Sequence, residues 1–152
     1  MRAVVQRVIA AKVEVDGEVV GEIGPGLLVY LGAGKGDDDA ARAYVLSKVL
    51  GLRIFENEQQ KMDKSVLDIG GALLVVSQFT LYGDVRRGRR PSFDDAMPPE
   101  EAEAAYDAFI REARAQIRVE TGRFRAHMLV SSQNDGPVTI WIDSQKSGVM
   151  SV

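Results

Sequence analysis

The sequence predicts one α/β domain in which an antiparallel sheet is covered by two main helices. Three observations support this. The first third of the chain falls into short runs rich in valine and leucine, two later segments repeat their apolar residues at helical spacing, and no internal repeat or linker divides the 152 residues. With 45% hydrophobic and 27% charged residues, the composition is that of a single soluble domain, residues 1–152. A chain of this size buries roughly 68 to 70% of the surface its unfolded form exposes, enough for a core without staples.

Ala3–Ile9, Lys12–Val15, Val19–Ile23 and Leu27–Leu31 read as strands, and Asp16-Gly17 fits a hairpin turn between two of them. Along Lys12, Val13, Glu14 and Val15 charged and apolar residues alternate, giving one buried and one wet face. In the first strand Val4, Gln6 and Val8 share one face and Ala3, Val5 and Arg7 the other. Arg7 thus projects from a largely apolar side, where it either finds acceptors or snorkels to the strand's end. Asp37, Asp38 and Asp39 precede a helix over Ala40–Leu52, with Val45, Val49 and Leu52 at helical spacing and the acids at the positive helix end.

Ala72–Val76 is a continuous apolar run leading into Ser77-Gln78-Phe79-Thr80-Leu81, and it reads as a strand buried on both faces. The second helix starts at Pro98-Pro99-Glu100-Glu101, carries Ala102, Tyr106, Phe109, Ala113 and Ile117 along one stripe, and ends near Gly122. Arg123–Val130 and Val138–Ile142 read as strands flanking the connection 131–137.

Several chemistries are excluded. Without cysteine there is no disulfide, and with one histidine, His127, a structural zinc site or an imidazole-rich catalytic metal site lacks its ligands. No metal or cofactor is expected, although a carboxylate-bound magnesium stays open. Gly32-Ala33-Gly34-Lys35-Gly36 follows a strand but has Val29 where a phosphate loop needs its first glycine and Gly36 where it needs a hydroxyl, so it reads as a strand-to-helix turn. Met1-Arg2-Ala3-Val4-Val5-Gln6-Arg7 is too polar for a signal peptide, and nowhere do 18 apolar residues occur in a row; the expected address is the cytoplasm, with no membrane partner.

The formal net charge of -3 requires any nucleic-acid contact to come from a local patch. Arg86, Arg87, Arg89 and Arg90 surround Gly88 and supply one, their guanidinium forks being suited to phosphates. A solvated charge run is the plainer reading of the same residues. Asp94 and Asp95 read as solvated surface, and Asn134-Asp135-Gly136-Pro137-Val138-Thr139 as a turn.

The opening Met1-Arg2-Ala3-Val4-Val5-Gln6-Arg7-Val8, the segment Ser77-Gln78-Phe79-Thr80-Leu81-Tyr82-Gly83-Asp84, the arginine loop and Asn134-Asp135-Gly136-Pro137-Val138-Thr139 together resemble the D-aminoacyl-tRNA deacylase family over the whole chain. The resemblance implies a curved, partly barrel-like sheet, a twofold homodimer with active sites shared across its interface, and hydrolysis of the ester between a D-amino acid and the terminal ribose of tRNA. It also implies that Gly136 and Pro137 form a cis turn that enters the partner's pocket and excludes L side chains, and that Arg7 holds this turn. Ser77, Gln78 and Phe79 match the motif lining the ester site, with the Phe79 amide a donor to the reacting carbonyl oxygen. Phe124 and Met128 match residues near the terminal adenine, and the four arginines become tRNA contacts.

Thr80 is considered as a nucleophile in that family, but strand alternation sends Gln78 and Thr80 to the face opposite Ser77 and Phe79. A hydroxyl nucleophile also needs a base within reach, and the chain has one histidine. The reading favoured is RNA-assisted hydrolysis, in which the 2′-hydroxyl beside the ester orients or activates water while amides stabilise the oxyanion. Two alternatives stay open: a noncatalytic RNA-binding protein using the arginine loop, and an editing deacylase acting on a mischarged L-aminoacyl-tRNA through a trans Gly-Pro bond.

Overall fold

Asp16 and Gly17 both adopt left-handed backbone angles, φ 50° and 81°, and close the hairpin between β1 (Arg2–Val15) and β2 (Glu18–Ile23). Two positive angles make the turn whose twist suits antiparallel strands. The computed structural model describes residues 1–146, so residues 147–152 of the expected domain lie outside the described residues.

The two opening strands expected from the sequence are one long strand, β1. Its Ala3 and Val5 join a core beneath the helices, whereas Val8, Ala11, Val13 and Val15 join a second core on the other face of the sheet. Val8 lies there by ordinary alternation, and Ala11, Val13 and Val15 follow because the register shift between Val8 and Ala10 gives β1 one extra residue against β8, and a displacement by one residue inverts every side chain that follows. β1 pairs along most of its length with β8 (Leu129–Asp143), while its other partners are β3 (Gly26–Gly32) for Arg2–Val8 and β2 for Ala11–Val15.

The sheet is mixed, which corrects the expectation of a purely antiparallel one. β6 (Ala72–Ser77) runs parallel to β3 and to β7 (Arg118–Thr121). Parallel neighbours need long crossovers, and here each contains a helix: α1 (Asp39–Gly51) between β3 and β6, and α2 (Pro99–Arg114) between β6 and β7. The strand order is β2-β1-β3-β6-β7. Its two ends approach each other, since the Arg118 guanidinium donates to the Glu22 carbonyl at 3.1 Å and a Cβ on Gly21 would lie 2.2 Å from the Thr121 carbonyl oxygen. The sheet therefore curves into a nearly closed barrel, and Gly21 permits the close approach.

Both helices lie where expected at their starts. Asp38 caps α1 by accepting the Ala41 amide, while Asp37 turns inward, accepting the Met1 ammonium at 2.6 Å and the Gly34 amide at 2.7 Å. Val45, Leu46, Val49 and Leu50 of α1 and Tyr106, Phe109, Ile110 and Ala113 of α2 share one core with Leu27, Val29, Leu73 and Val75 of β3 and β6, strands whose middle residues are buried on both faces. α2 stops at Arg114 instead of near Gly122, because Val119 leaves the helical register to pair beside Leu73 in β7. A small hairpin of β4 (Phe55–Glu56) and β5 (Met62–Lys64) had no counterpart in the expected elements.

Candidate active site

The strand expected to run through Leu81 ends at Ser77, and Phe79–Tyr82 forms a 3-10 helix. Gln78 makes the last ladder bond, donating its amide to Leu31, and then bends the chain so that Leu81 donates back to the Gln78 carbonyl. Face alternation consequently stops at Ser77. Ser77, Gln78 and Phe79 line a cleft of about 770 Å³, and Thr80 does not. The Gln78 side-chain amide donates to the Thr80 hydroxyl outside that cleft. Among the described residues the Phe79 amide has no protein acceptor, leaving a backbone donor at the edge of the cleft.

The opposite lip is 123–128. Expected as a strand, it is an irregular turn in which Ala126 donates to the Arg123 carbonyl and Arg125 has φ 67°, so β8 begins only at Leu129. Because alternation is lost, Phe124, Arg125, Ala126, His127 and Met128 all line the cleft. Each wall carries an aromatic pair: Phe79 meets Phe93 edge-on with centroids 5.0 Å apart, and Phe124 lies 6.0 Å from Tyr106. Tyr106 is fixed by a 2.8 Å bond from its hydroxyl to the Val75 carbonyl, and burial raises its pKa above the ordinary value. Phe93 and Tyr106 were not singled out from the sequence as site residues; Tyr106 was legible only as part of the helix stripe, and Phe93 only through its position three residues after Arg90.

The arginine loop hangs from this wall. Reciprocal backbone bonds between Asp84 and Ser92, 2.7 and 2.9 Å, close its base one residue before Phe93, and Gly88 at its tip has φ 80°. Arg86 folds back onto Asp84, at distances of 2.6 to 3.0 Å, and holds that carboxyl well down, at a pKa of about 2. Arg87, Arg89 and Arg90 are exposed and form no ion pair among the described residues. The four cations are thus one paired and three available.

The connection expected over 131–137 belongs to the continuous strand β8, interrupted by an excursion. Gln6 faces Thr139 and Val8 faces Asn134, so residues 135–138 loop out where β1 has only Arg7. The Gly136-Pro137 bond is cis, and both residues are exposed outside the cleft. Asn134 clasps the base of the loop by accepting the Val138 amide at 2.7 Å and donating to the Val138 carbonyl at 3.2 Å. Arg7, 6% exposed, donates to the Asp135 carbonyl at 2.8 Å and the Ile54 carbonyl at 2.6 Å, so it finds acceptors and does not snorkel. A Cβ on Gly136, whose φ is 139°, would lie 3.0 Å from Arg7 Nη2 and 2.8 Å from Val138 Cγ2, so the fit leaves no room for a side chain.

Among the described residues no group of three His, Asp or Glu side chains is placed to hold a metal, and no helix is long and apolar enough to cross a membrane. The cleft offers a hydroxyl, an amide side chain, a free backbone donor and aromatic walls, with Arg125 and His127 at the rim.

A family model for D-Tyr-tRNA(Tyr) deacylase matches residues 4–143. A D-aminoacyl-tRNA deacylase of Symbiobacterium thermophilum is 60% identical over 148 residues, covering 97% of this chain and 98% of the relative. One from Kosmotoga olearia is 56% identical over 146 residues, covering 96% and 99%. The structure of a c-Myc DNA Unwinding Element Binding Protein is similar at a TM-score of 0.90 and 44% identity, over 94% of this chain and 98% of that one. A probable eukaryotic D-amino acid tRNA deacylase shares the fold at a TM-score of 0.76 and 21% identity, over 93% and 98%.

Proposed function

The chain belongs to the D-Tyr-tRNA(Tyr) deacylase family, and from that membership we propose that it hydrolyses the ester of D-aminoacyl-tRNA, releasing free tRNA and the D-amino acid in the cytoplasm. The observation that carries the reading to particular residues is the meeting of Ser77, Gln78 and Phe79 with Phe124 and Met128 in one apolar cleft. The terminal adenosine lies along the Phe124 and Met128 lip. The ester carbonyl meets the Phe79 amide, whose preorganised dipole stabilises the oxyanion without reorganisation.

Water is the nucleophile, oriented or activated by the 2′-hydroxyl of the substrate. Thr80 serves Gln78, holding its side chain, and is not itself acylated. Nothing in this scheme needs a metal or a cofactor.

Gly136 and Pro137 act across a twofold homodimer. Their exposure outside the cleft of their own chain supports this, because the turn reaches an ester site only if a second copy brings it there. The turn rejects L substrates by obstruction. Discrimination of 10⁴ requires about 5.5 kcal/mol, whereas a methylene in an apolar pocket supplies only about 1 to 3 kcal/mol. Glycine has nothing to collide with the turn, so glycyl-tRNA is also cleaved. Arg87, Arg89 and Arg90 hold phosphates of the tRNA body.

The test is paired deacylation of D- and L-tyrosyl-tRNA by the purified protein. Rapid release of D-tyrosine alone is expected. Stoichiometric tRNA binding without turnover, or release of the L residue instead, overturns the proposal.

A further inference from the structure

Among the described residues, Arg125 is the only cationic side chain of fixed charge that lines the cleft, and the hydrolysis scheme gives it no role. Its backbone is left-handed, φ 67°, a conformation that a bulky residue seldom adopts without compensation. The side chain is exposed, takes part in no ion pair among the described residues, and has its guanidinium carbon 5.9 Å from the centroid of Phe124. Phe124 and Met128 flank it on the same lip, with His127 between, so a cation stands at the rim beside an aromatic and thioether wall. An aromatic wall for a base and a guanidinium at its edge for an anion are the two halves of a nucleotide site.

We propose that Arg125 binds the 5′-phosphate of a nucleotide whose base rests on the Phe124 and Met128 lip, with the terminal nucleotide of an RNA as the occupant. This rests on the tRNA-substrate reading and adds to it an anion contact separate from the arginine loop. The cleft volume of about 770 Å³ lies in the range of small-ligand sites and accommodates a nucleotide together with an esterified amino acid. Arg125 then fixes the ribose relative to Phe79 through its phosphate, as a positioning residue.

Binding is measured by titration calorimetry with adenosine, AMP and the trinucleotide CpCpA. The wild-type protein is expected to bind AMP more tightly than adenosine, and CpCpA at least as tightly as AMP. In Arg125→Ala the AMP and CpCpA affinities fall about tenfold or more, as expected when one charge-assisted bond to phosphate is removed, while adenosine binding is unchanged. Arg125→Lys restores part of the affinity. Arg125→Gly suits the left-handed backbone, so it behaves as Arg125→Ala toward AMP without lowering the melting temperature. Arg111→Ala, which removes an equal charge from the exposed end of α2, leaves AMP affinity unaltered. Equal decreases for adenosine and AMP, or none for either, overturn the proposal, and tight AMP binding with no CpCpA binding replaces the RNA end by a free nucleotide. A wild-type protein that binds CpCpA through Arg125 but does not release D-tyrosine refutes the deacylase reading and leaves this one standing.

Discussion

Arg7 and Asp135 are joined by a 2.8 Å hydrogen bond from the guanidinium Nε to a backbone carbonyl 128 positions later in the chain. The same guanidinium reaches the Ile54 carbonyl, so one side chain of β1 ties the excursion of β8 to the segment that follows α1. The Asp135 carboxylate is 3.7 Å away but half exposed, and contributes little beside the two carbonyl bonds.

Arg7→Met keeps the apolar stem and leaves both carbonyls without their donor. A destabilisation of roughly 2 to 4 kcal/mol is expected from urea denaturation. If the turn filters substrates, L-tyrosyl-tRNA cleavage rises relative to D-tyrosyl-tRNA in the same variant. An unchanged ratio in protein that remains folded would mean that Arg7 supports the fold alone.

The arginine loop divides by its pairing. Replacing Arg87 or Arg89 with alanine should raise KM and reduce the slope of log KM against log salt by about 0.7 to 0.9 for each phosphate that is no longer neutralised. Arg86→Ala should change both less, because its guanidinium already belongs to Asp84. The Asp84 carboxyl has a depressed pKa, about 2, so its pairing is complete above the ordinary aspartate range and is lost only as pH falls through about 2. The relative effects of the three variants should therefore stay constant between about pH 5 and 8, the expected result of steady-state assays across that interval.

Tyr82 is buried with its hydroxyl lacking a hydrogen-bond partner among the described residues, and burial raises its pKa. Its ring carries the Arg2 guanidinium at 4.3 Å and fills the space where Gly34 has no side chain. Tyr82→Phe retains the ring packing and removes the unsatisfied hydroxyl, so stability should rise by about 1 kcal/mol in denaturant titrations. A decrease in stability would reveal a partner for the hydroxyl.

The sequence made the local elements plain where one physical signal acted alone. Asp16-Gly17, the acids before α1, the prolines before α2 and the apolar run of β6 each specify their structure through short-range chemistry. What it hid depends on partners far away. Val119 follows a helical stripe but pairs with Leu73, and the parallel direction of β6 and β7 follows from crossovers, not from any alternation within the strands. Gln78 reads as a strand residue until Leu81 turns back to its carbonyl. The candidate site was legible as a set of short motifs, and Arg7 as a cation on an apolar face in need of acceptors. The Asp135 carbonyl as one of those acceptors, and the place of Arg125 at the cleft rim beside Phe124, come from backbone irregularities at 135–138 and 123–126 that no periodicity reports.

The origin of the catalytic group gives the last prediction. Thr80 lies outside the cleft, its hydroxyl is engaged by Gln78, and Ser77 has no base hydrogen-bonded to it among the described residues. Thr80→Ala and Ser77→Ala are therefore expected to retain substantial deacylation, with decreases nearer tenfold than the thousandfold or more that follows removal of a nucleophile. Under the proposed RNA-assisted mechanism, removing the substrate's hydroxyl acts on the chemistry instead. A tRNA ending in 2′-deoxyadenosine and charged through its 3′ oxygen with D-tyrosine retains its phosphates and its base, so it should bind nearly as well as the ribose form. Its single-turnover rate should fall far more than that of either alanine variant on normal substrate. Near-normal hydrolysis of the deoxy substrate, together with an acyl-enzyme trapped on wild-type protein and absent from Thr80→Ala, would establish threonine as the nucleophile and displace the RNA-assisted mechanism.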